Sequence, residues 1–195
     1  MKKDIILAGV GGQGILTIAA CIGLAALREG LQLKQAEVHG MSQRGGAVQS
    51  HLRLSDKTIA SDIIPEGKAN LILSVEPMEA LRYLPMLSSD GWVVTSINPY
   101  VNIPDYPQLD DILREIWKCR HYVTADADDM ARNAGSIKAA NMVMLGAASP
   151  LLGLSTTSLE AGVSTLFAAK GQAVIDLNLK AFWAGREWAL GQMKP

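Results

Sequence analysis

Four glycines within six residues, Gly9-Val10-Gly11-Gly12-Gln13-Gly14, separate two apolar segments of different character. Before them, Lys3 to Ala8 is short and rich in branched residues, the composition of a strand buried on both faces. After them, about Gln13 to Glu29 is apolar nearly all round, which predicts a buried helix, and Gly30 stops it at the C′ position. A strand that turns sharply into a helix has few architectures open to it. The helix must lie against the sheet that the strand belongs to, and the turn must lie at the strand's carboxyl end.

The rest of the chain continues the alternation. Leu31 to Val38 reads as a second strand, Gly40 to Gly46 as a loop, and Ala47 to Ser55 as a third strand alternating loosely through Val48, Ser50, Leu52 and Leu54. The short gap between the second and third strands predicts an antiparallel pair. Asn70 to Val75 and Trp92 to Ser96 read as further strands, with a helix opened by Glu76-Pro77 between them. Tyr100 to Pro107 is a proline-punctuated loop. From Asp110 onward the signal is helical: Thr157-x-x-Glu160 reads as a capping box leading into Leu159–Ala168, and Ala173 to Leu190 as a long final helix. The expected fold is α/β: a three-layer, Rossmann-like open twisted sheet, mostly parallel with an antiparallel part, and helices on both faces.

With 195 residues and neither a repeat nor a linker, residues 1–195 read as a single domain. Eighteen basic against nineteen acidic residues exclude a broad cationic field, and with it nucleic acid and anionic membrane surfaces as partners. The charged fraction of 19% is below the roughly 25% of an average soluble domain. Either apolar surface is covered by another subunit, or the interior is simply rich in alanine. The longest apolar stretch, Ile15 to Leu27, is short of the about 20 residues a spanning helix needs, and the N-terminal apolar run is too brief for a signal peptide. Cys21 and Cys119 are far apart in sequence and read as reduced thiols of a cytoplasmic protein, not as cluster or zinc ligands.

Two loops carry the candidate chemistry. Gly9, Gly11, Gly12, Gln13 and Gly14 let a backbone come close to an anion at a helix N-terminus, and Glu37 ends the second strand where a dinucleotide fold places a carboxylate for a ribose hydroxyl. An NAD(P) or flavin site, tight helix packing alone, and another anionic ligand all stay open. In Glu37-Val38-His39-Gly40-Met41-Ser42-Gln43-Arg44-Gly45-Gly46, Arg44 offers a planar donor fork on a pliant backbone, suited to a phosphate or carboxylate or to a pairing with Glu37. His39 is a candidate general base or a structural histidine. His51 and His121 have no partners at metal-ligand spacing, and Met142 and Met144 have core spacing. No metal site is expected.

Taken together, Gly9-x-Gly11-Gly12-Gln13-Gly14 and the Glu37–Gly46 loop resemble the gamma-type subunits of 2-oxoacid:ferredoxin oxidoreductases. Within that family, the His-Gly-Met-Ser-Gln-Arg-Gly-Gly form is similar to the small subunit of the indolepyruvate branch. The likeness extends through Glu76-Pro77-x-Glu79-Ala80-Leu81-Arg82, Asn141-Met142-x-x-Leu145-Gly146-Ala147 and Asn178-x-x-Ala181-Phe182-x-x-Gly185, and so over essentially the whole chain. The resemblance implies a complex that decarboxylates aryl 2-oxo acids on thiamine diphosphate, forms an acyl-CoA and passes electrons through iron–sulfur clusters to ferredoxin. The chain has no thiamine diphosphate motif, so the resemblance places thiamine diphosphate and the iron–sulfur clusters in a larger alpha subunit, and CoA binding is expected through that partner too. The expected ligand-facing residues are Gly9, Gly11, Gly12, Gln13, Gly14, Ser42, Gln43, Arg44, Gly45 and Gly46, in a positioning role with no covalent step.

Overall fold

The computed structural model describes residues 1–39 and 45–193. Alternation decides its layers. In β1 (Lys2–Val10), Ile5 and Leu7 point into one core and Ile6 into another. The same division recurs in β4 (Ala69–Ser74), with Leu71 and Leu73 on one side and Ile72 on the other, and in β5 (Leu87–Ser96), with Val94 opposed to Val93. Strands buried on both faces require cover on both, and the helices supply it unequally. The larger core lies under α1 (Ile15–Arg28), α4 (Ala127–Ala134), α5 (Ala140–Ala148), α6 (Thr156–Phe167) and α7 (Gln172–Gln192). The smaller cores lie under α2 (Pro77–Arg82), α3 (Leu109–Ile116) and the segment around Ile64.

With β2 (Gln32–His39), β3 (Ala47–Ser55) and β6 (Tyr122–Ala125), the six strands run in the order β2-β3-β1-β4-β5-β6. β1, β4, β5 and β6 pair in parallel, while β3 is antiparallel to both β1 and β2. The sheet is therefore mixed and open, as the sequence predicts. The Gly30 stop is also in place: the Leu31 N–H reaches Ala26 O at 3.0 Å and the Gly30 N–H reaches Leu27 O at 3.1 Å, the two bonds of a Schellman end.

Two sequence expectations change. The cap of α6 is Ser155, whose hydroxyl accepts the Ser158 N–H at 3.1 Å; Thr157 is already inside the helix, and Glu160 instead accepts the Trp183 indole N–H at 2.8 Å. The strand β6 has four residues inside what reads as a helical region, too few for an alternation to register. Its outer edge is covered by α7. The Gln192 side-chain amide accepts the Thr124 N–H at 3.2 Å and donates to Thr124 O at 2.7 Å, and the Trp188 indole donates to the same oxygen at 2.8 Å.

The large core is closed by two helix backbones in direct contact. A Cβ on Gly146 of α5 would lie 1.8 Å from Phe182 O of α7, and one on Gly185 of α7 would lie 1.9 Å from Val143 O of α5. The two glycines are reciprocal: each receives the other helix's carbonyl. Gly146→Ala or Gly185→Ala is expected to cost at least about 3 kcal/mol by overpacking, a fall of roughly 6–12 °C in melting temperature. Thermal denaturation of each single variant and of the double variant checks this. The double variant should lose less than the sum, because either methyl alone already separates the helices.

Candidate functional site: a crevice at the carboxyl ends of the strands

Between β1 and β4 the chain's connections diverge: β1 leads into α1 on one face, and β4 leads into α2 on the other. An open α/β sheet forms its ligand crevice at such a point. The glycine turn lies there. Gln13 folds back so that its Oε1 accepts the Val10 N–H at 2.8 Å and its Nε2 donates to Val75 O at 3.4 Å, tying the ends of β1 and β4 together. Gly14 is the N-cap of α1 at φ 80°, and no side chain caps the helix. A Cβ there would stand 2.4 Å from Asn141 Nδ2, the group that donates to Gly14 O at 3.3 Å. Gly12, at φ +102°, is different: a Cβ would meet nothing within 4 Å. Its backbone conformation needs glycine, and its open side faces the crevice.

The second loop joins the first. The Gly11 N–H donates to Gly46 O at 2.8 Å, the Gly45 N–H donates to Gly11 O at 3.4 Å, and Asn102 Nδ2 donates to Gly45 O. Gly11, Gly45 and Gly46 thus stand together, and Gly12 is open to the crevice. Gly9 is buried against Val75 and Ile15, in the packing role left open above. Gln13 uses its amide as a latch. Ser42, Gln43 and Arg44, and the side chain of His39, lie outside the described residues.

Two hollows flank Gly12 and Gln13. A cavity of about 230 Å³ is lined by Ser96, Asn98, Tyr100, Asp128, Lys138 and Asn141 among others. A groove of about 580 Å³ runs from Gly14 past Lys138, Asn141 and Phe167 to Lys170. The uncapped N-terminus of α1 and the two ammonium groups give the groove a positive character, which suits an anion. Asp128, on the cavity side, is in an i,i+4 pair with Arg132 at 3.8 Å. Sequence reasoning missed Asn98, Asp128 and Lys138 because they come from three separate segments, the connection after β5, the first turn of α4 and the turn before α5, that only the fold brings together. Asn141 lies in a motif quoted for the resemblance, without a role.

Glu37 does not sit where a dinucleotide would use it. β3 is inserted between β1 and β2, so Glu37, opposite Ser50, is two strands from the glycine turn, about 9–10 Å at normal strand spacing. Among the described residues, no three of His, Cys, Asp and Glu are grouped to hold a metal ion, and no helix is long and apolar enough to cross a membrane. Cys21 is buried in α1, where burial pushes its thiol up to about 12. His121 stacks on Trp92 at 4.8 Å. His51 is buried, with Nδ1 accepting the Ile64 N–H at 3.1 Å and Nε2 against the Gln49 side chain at 2.7 Å.

The family of pyruvate ferredoxin/flavodoxin oxidoreductases matches residues 4–188. The chain belongs to this family. It is 38% identical to the indolepyruvate oxidoreductase subunit IorB of Methanothermobacter thermautotrophicus, over 95% of this chain and 96% of that one. It is likewise 38% identical to the IorB subunit of Thermococcus kodakarensis, over 95% of each. Among solved structures, the gamma subunit of a keto/oxoacid ferredoxin oxidoreductase from Geobacter sulfurreducens superposes with a TM-score of 0.71 at 25% identity, over 97% of this chain and 99% of that one. The 2-oxoglutarate:ferredoxin oxidoreductase of Magnetococcus marinus, solved with 2-oxoglutarate, coenzyme A and succinyl-CoA, shares the fold at a TM-score of 0.80 and 23% identity; the match covers all of this chain and 32% of that one. A family member of this kind is an oxidoreductase subunit, and none of these relatives is named as a reductase that binds NAD(P) or a flavin by itself.

Two outcomes follow from this geometry. Calorimetric titration with NAD(H) or NADP(H) should give no saturable binding, and a micromolar dissociation constant would restore the dinucleotide reading. The second concerns pH. Burial, with Arg53 adding to it and Asp62 opposing it, lowers the His51 pKa from its ordinary value. The unfolded chain therefore takes up a proton as pH falls through about 6.5, before the folded one does. The stabilisation is complete above that pH and is lost as pH falls towards the depressed folded value. Melting temperatures measured between about pH 7.5 and about pH 5.5 should fall further for the wild type than for His51→Gln.

Proposed function

We propose that the chain is the small subunit of an indolepyruvate ferredoxin oxidoreductase, in which aryl 2-oxo acids are oxidatively decarboxylated to acyl-CoA and electrons pass to ferredoxin. The observation that carries the reading is near-full-length identity of 37–38% to four chains named as the IorB subunit. The bonds of Gly11 to Gly45 and Gly46 support it, because they bring glycines of both loops together at the carboxyl end of β1, a position suited to an anion.

The residues present do not fit an iron–sulfur cluster, and the sequence carries no thiamine diphosphate motif. Cys21 is buried in α1 and held as a thiol, Cys119 lies beyond the end of α3 beside a different core, and cluster ligation takes up to four thiolates. Those groups are assigned to a larger alpha subunit, and ferredoxin is reached through it. What this chain contributes is positioning and charge. The backbone around Gly12 and Gly14, with Lys138 and the Arg44 guanidinium, is proposed to receive a phosphate of CoA or the carboxylate of the 2-oxo acid. Gly9, Gly11, Gln13, Gly45 and Gly46 hold that backbone in shape, and Ser42 and Gln43 are proposed to stand beside Arg44. No residue of the chain is assigned a covalent step.

The test is reconstitution. Alone, the chain should oxidise no 2-oxo acid; co-expressed with its large subunit, it should turn over indolepyruvate with CoA and a viologen acceptor. Turnover by the isolated chain would overturn the assignment. In the assembled complex, Arg44→Lys keeps the charge and loses the two-pronged donor, so turnover should fall about tenfold or more with assembly intact. Unchanged turnover in an assembled Arg44→Ala complex would remove Arg44 from the site.

A further inference from the structure

We infer that Glu76 and Asn102 are positioning residues, a buried carboxylate and an exposed amide that pin the connection between β5 and α3 as a strap and thereby set the spacing of the two glycine loops. The inference rests on the crevice being the ligand-facing site proposed above. The strap, residues 97–108, has no helix or strand of its own and is broken by Pro99, Pro104 and Pro107. Its shape therefore comes from what holds it. One anchor is Glu76, fully buried after the end of β4. Its Oε1 accepts the Tyr100 N–H at 3.3 Å and the Tyr106 hydroxyl, while its Oε2 accepts the Glu79 N–H at 2.8 Å.

Helix capping alone does not explain this residue. The Glu79 bond is the whole of the cap; Ser, Asp or Asn would make it with a shorter side chain, and Ser or Asn with no charge to bury. The second oxygen is spent entirely on the strap. From there the strap runs along the crevice, where Asn98, Pro99 and Tyr100 form a wall of the cavity opposite Gly12 and Gln13. At Asn102 it reaches Gly45 O, and the Gly45 N–H is itself bonded to Gly11 O. A continuous line of hydrogen bonds and backbone thus connects a carboxylate under α2 to the turn at the start of α1. Exposed Asn102 has no packing role that would account for the same connection.

The experiment uses Asn102→Ala, Tyr106→Phe and the double variant, each as the full chain and in complex with the large subunit. In the full chain, amide hydrogen exchange at Gly11 and Gly45 should rise at least about threefold in both single variants, with β4 unchanged and the double variant no faster than the faster single one. In the complex, KM for indolepyruvate or for CoA should rise at least about threefold while kcat stays within about twofold. Unchanged exchange at Gly11 and Gly45, additive effects in the double variant, or altered exchange with both KM values unchanged would each overturn the inference. Faster exchange in the variants, together with a wild-type complex that oxidises no 2-oxo acid, would overturn the functional reading and leave the strap's coupling of the loops standing.

Discussion

The antiparallel insertion of β3 between β1 and β2 is the constraint from which the site follows. Its pairing with β1 runs without a break from Lys2 opposite Ser55 to Val10 opposite Ala47. Because the two strands run in opposite directions, the start of β3 lies beside the end of β1. Gly45 and Gly46, just before that start, are thereby delivered to Gly11, just after that end. The same insertion moves the second crossover strand outward and takes Glu37 away from the glycine turn. One strand direction thus joins the two loops and separates the glycine turn from the carboxylate that a dinucleotide site would pair with it.

The glycines of the chain have several physical roles, although the sequence writes them alike. Gly146 and Gly185 serve close helix contact, Gly14 serves both a left-handed cap and the Asn141 contact, and Gly12 serves backbone conformation at an open surface. Two of the motifs quoted for the family likeness, around Asn141–Gly146 and Asn178–Gly185, turn out to be the two sides of one helix crossing. Their carbonyls and missing Cβ atoms interlock.

Much of the sheet was legible from the sequence. Buried strands carry apolar runs, the helix α1 is apolar all round, and the hairpin spacing of β2 and β3 shows in the chain itself. What escaped was governed by contacts distant in sequence. β6 is only four residues long and owes its edge to Gln192 and Trp188, some 60 residues later. The cap of α6 was misplaced by two residues because Ser155, Thr157 and Ser158 offer similar hydroxyls, and only the backbone conformation at Ser155 distinguishes them. At the crevice, the glycine turn between β1 and α1 could be placed in advance, but not the division of labour among its glycines. Nor could Lys138, Asn98 and Asp128 be named, since nothing local marks a residue that becomes a neighbour only after folding.

The side-chain amide of Gln192 presents to β6 the same donor and acceptor that another strand's peptide group would present. It works as a counterfeit strand one residue long. A sheet that ends in such a decoy offers an incoming chain little backbone to pair with on that side, although no proline or inward-pointing charge guards the position. The last turn of α7 is therefore a stopper against self-templating as well as a core helix. Fraying of that turn would uncover the Thr124 peptide group for pairing with another strand.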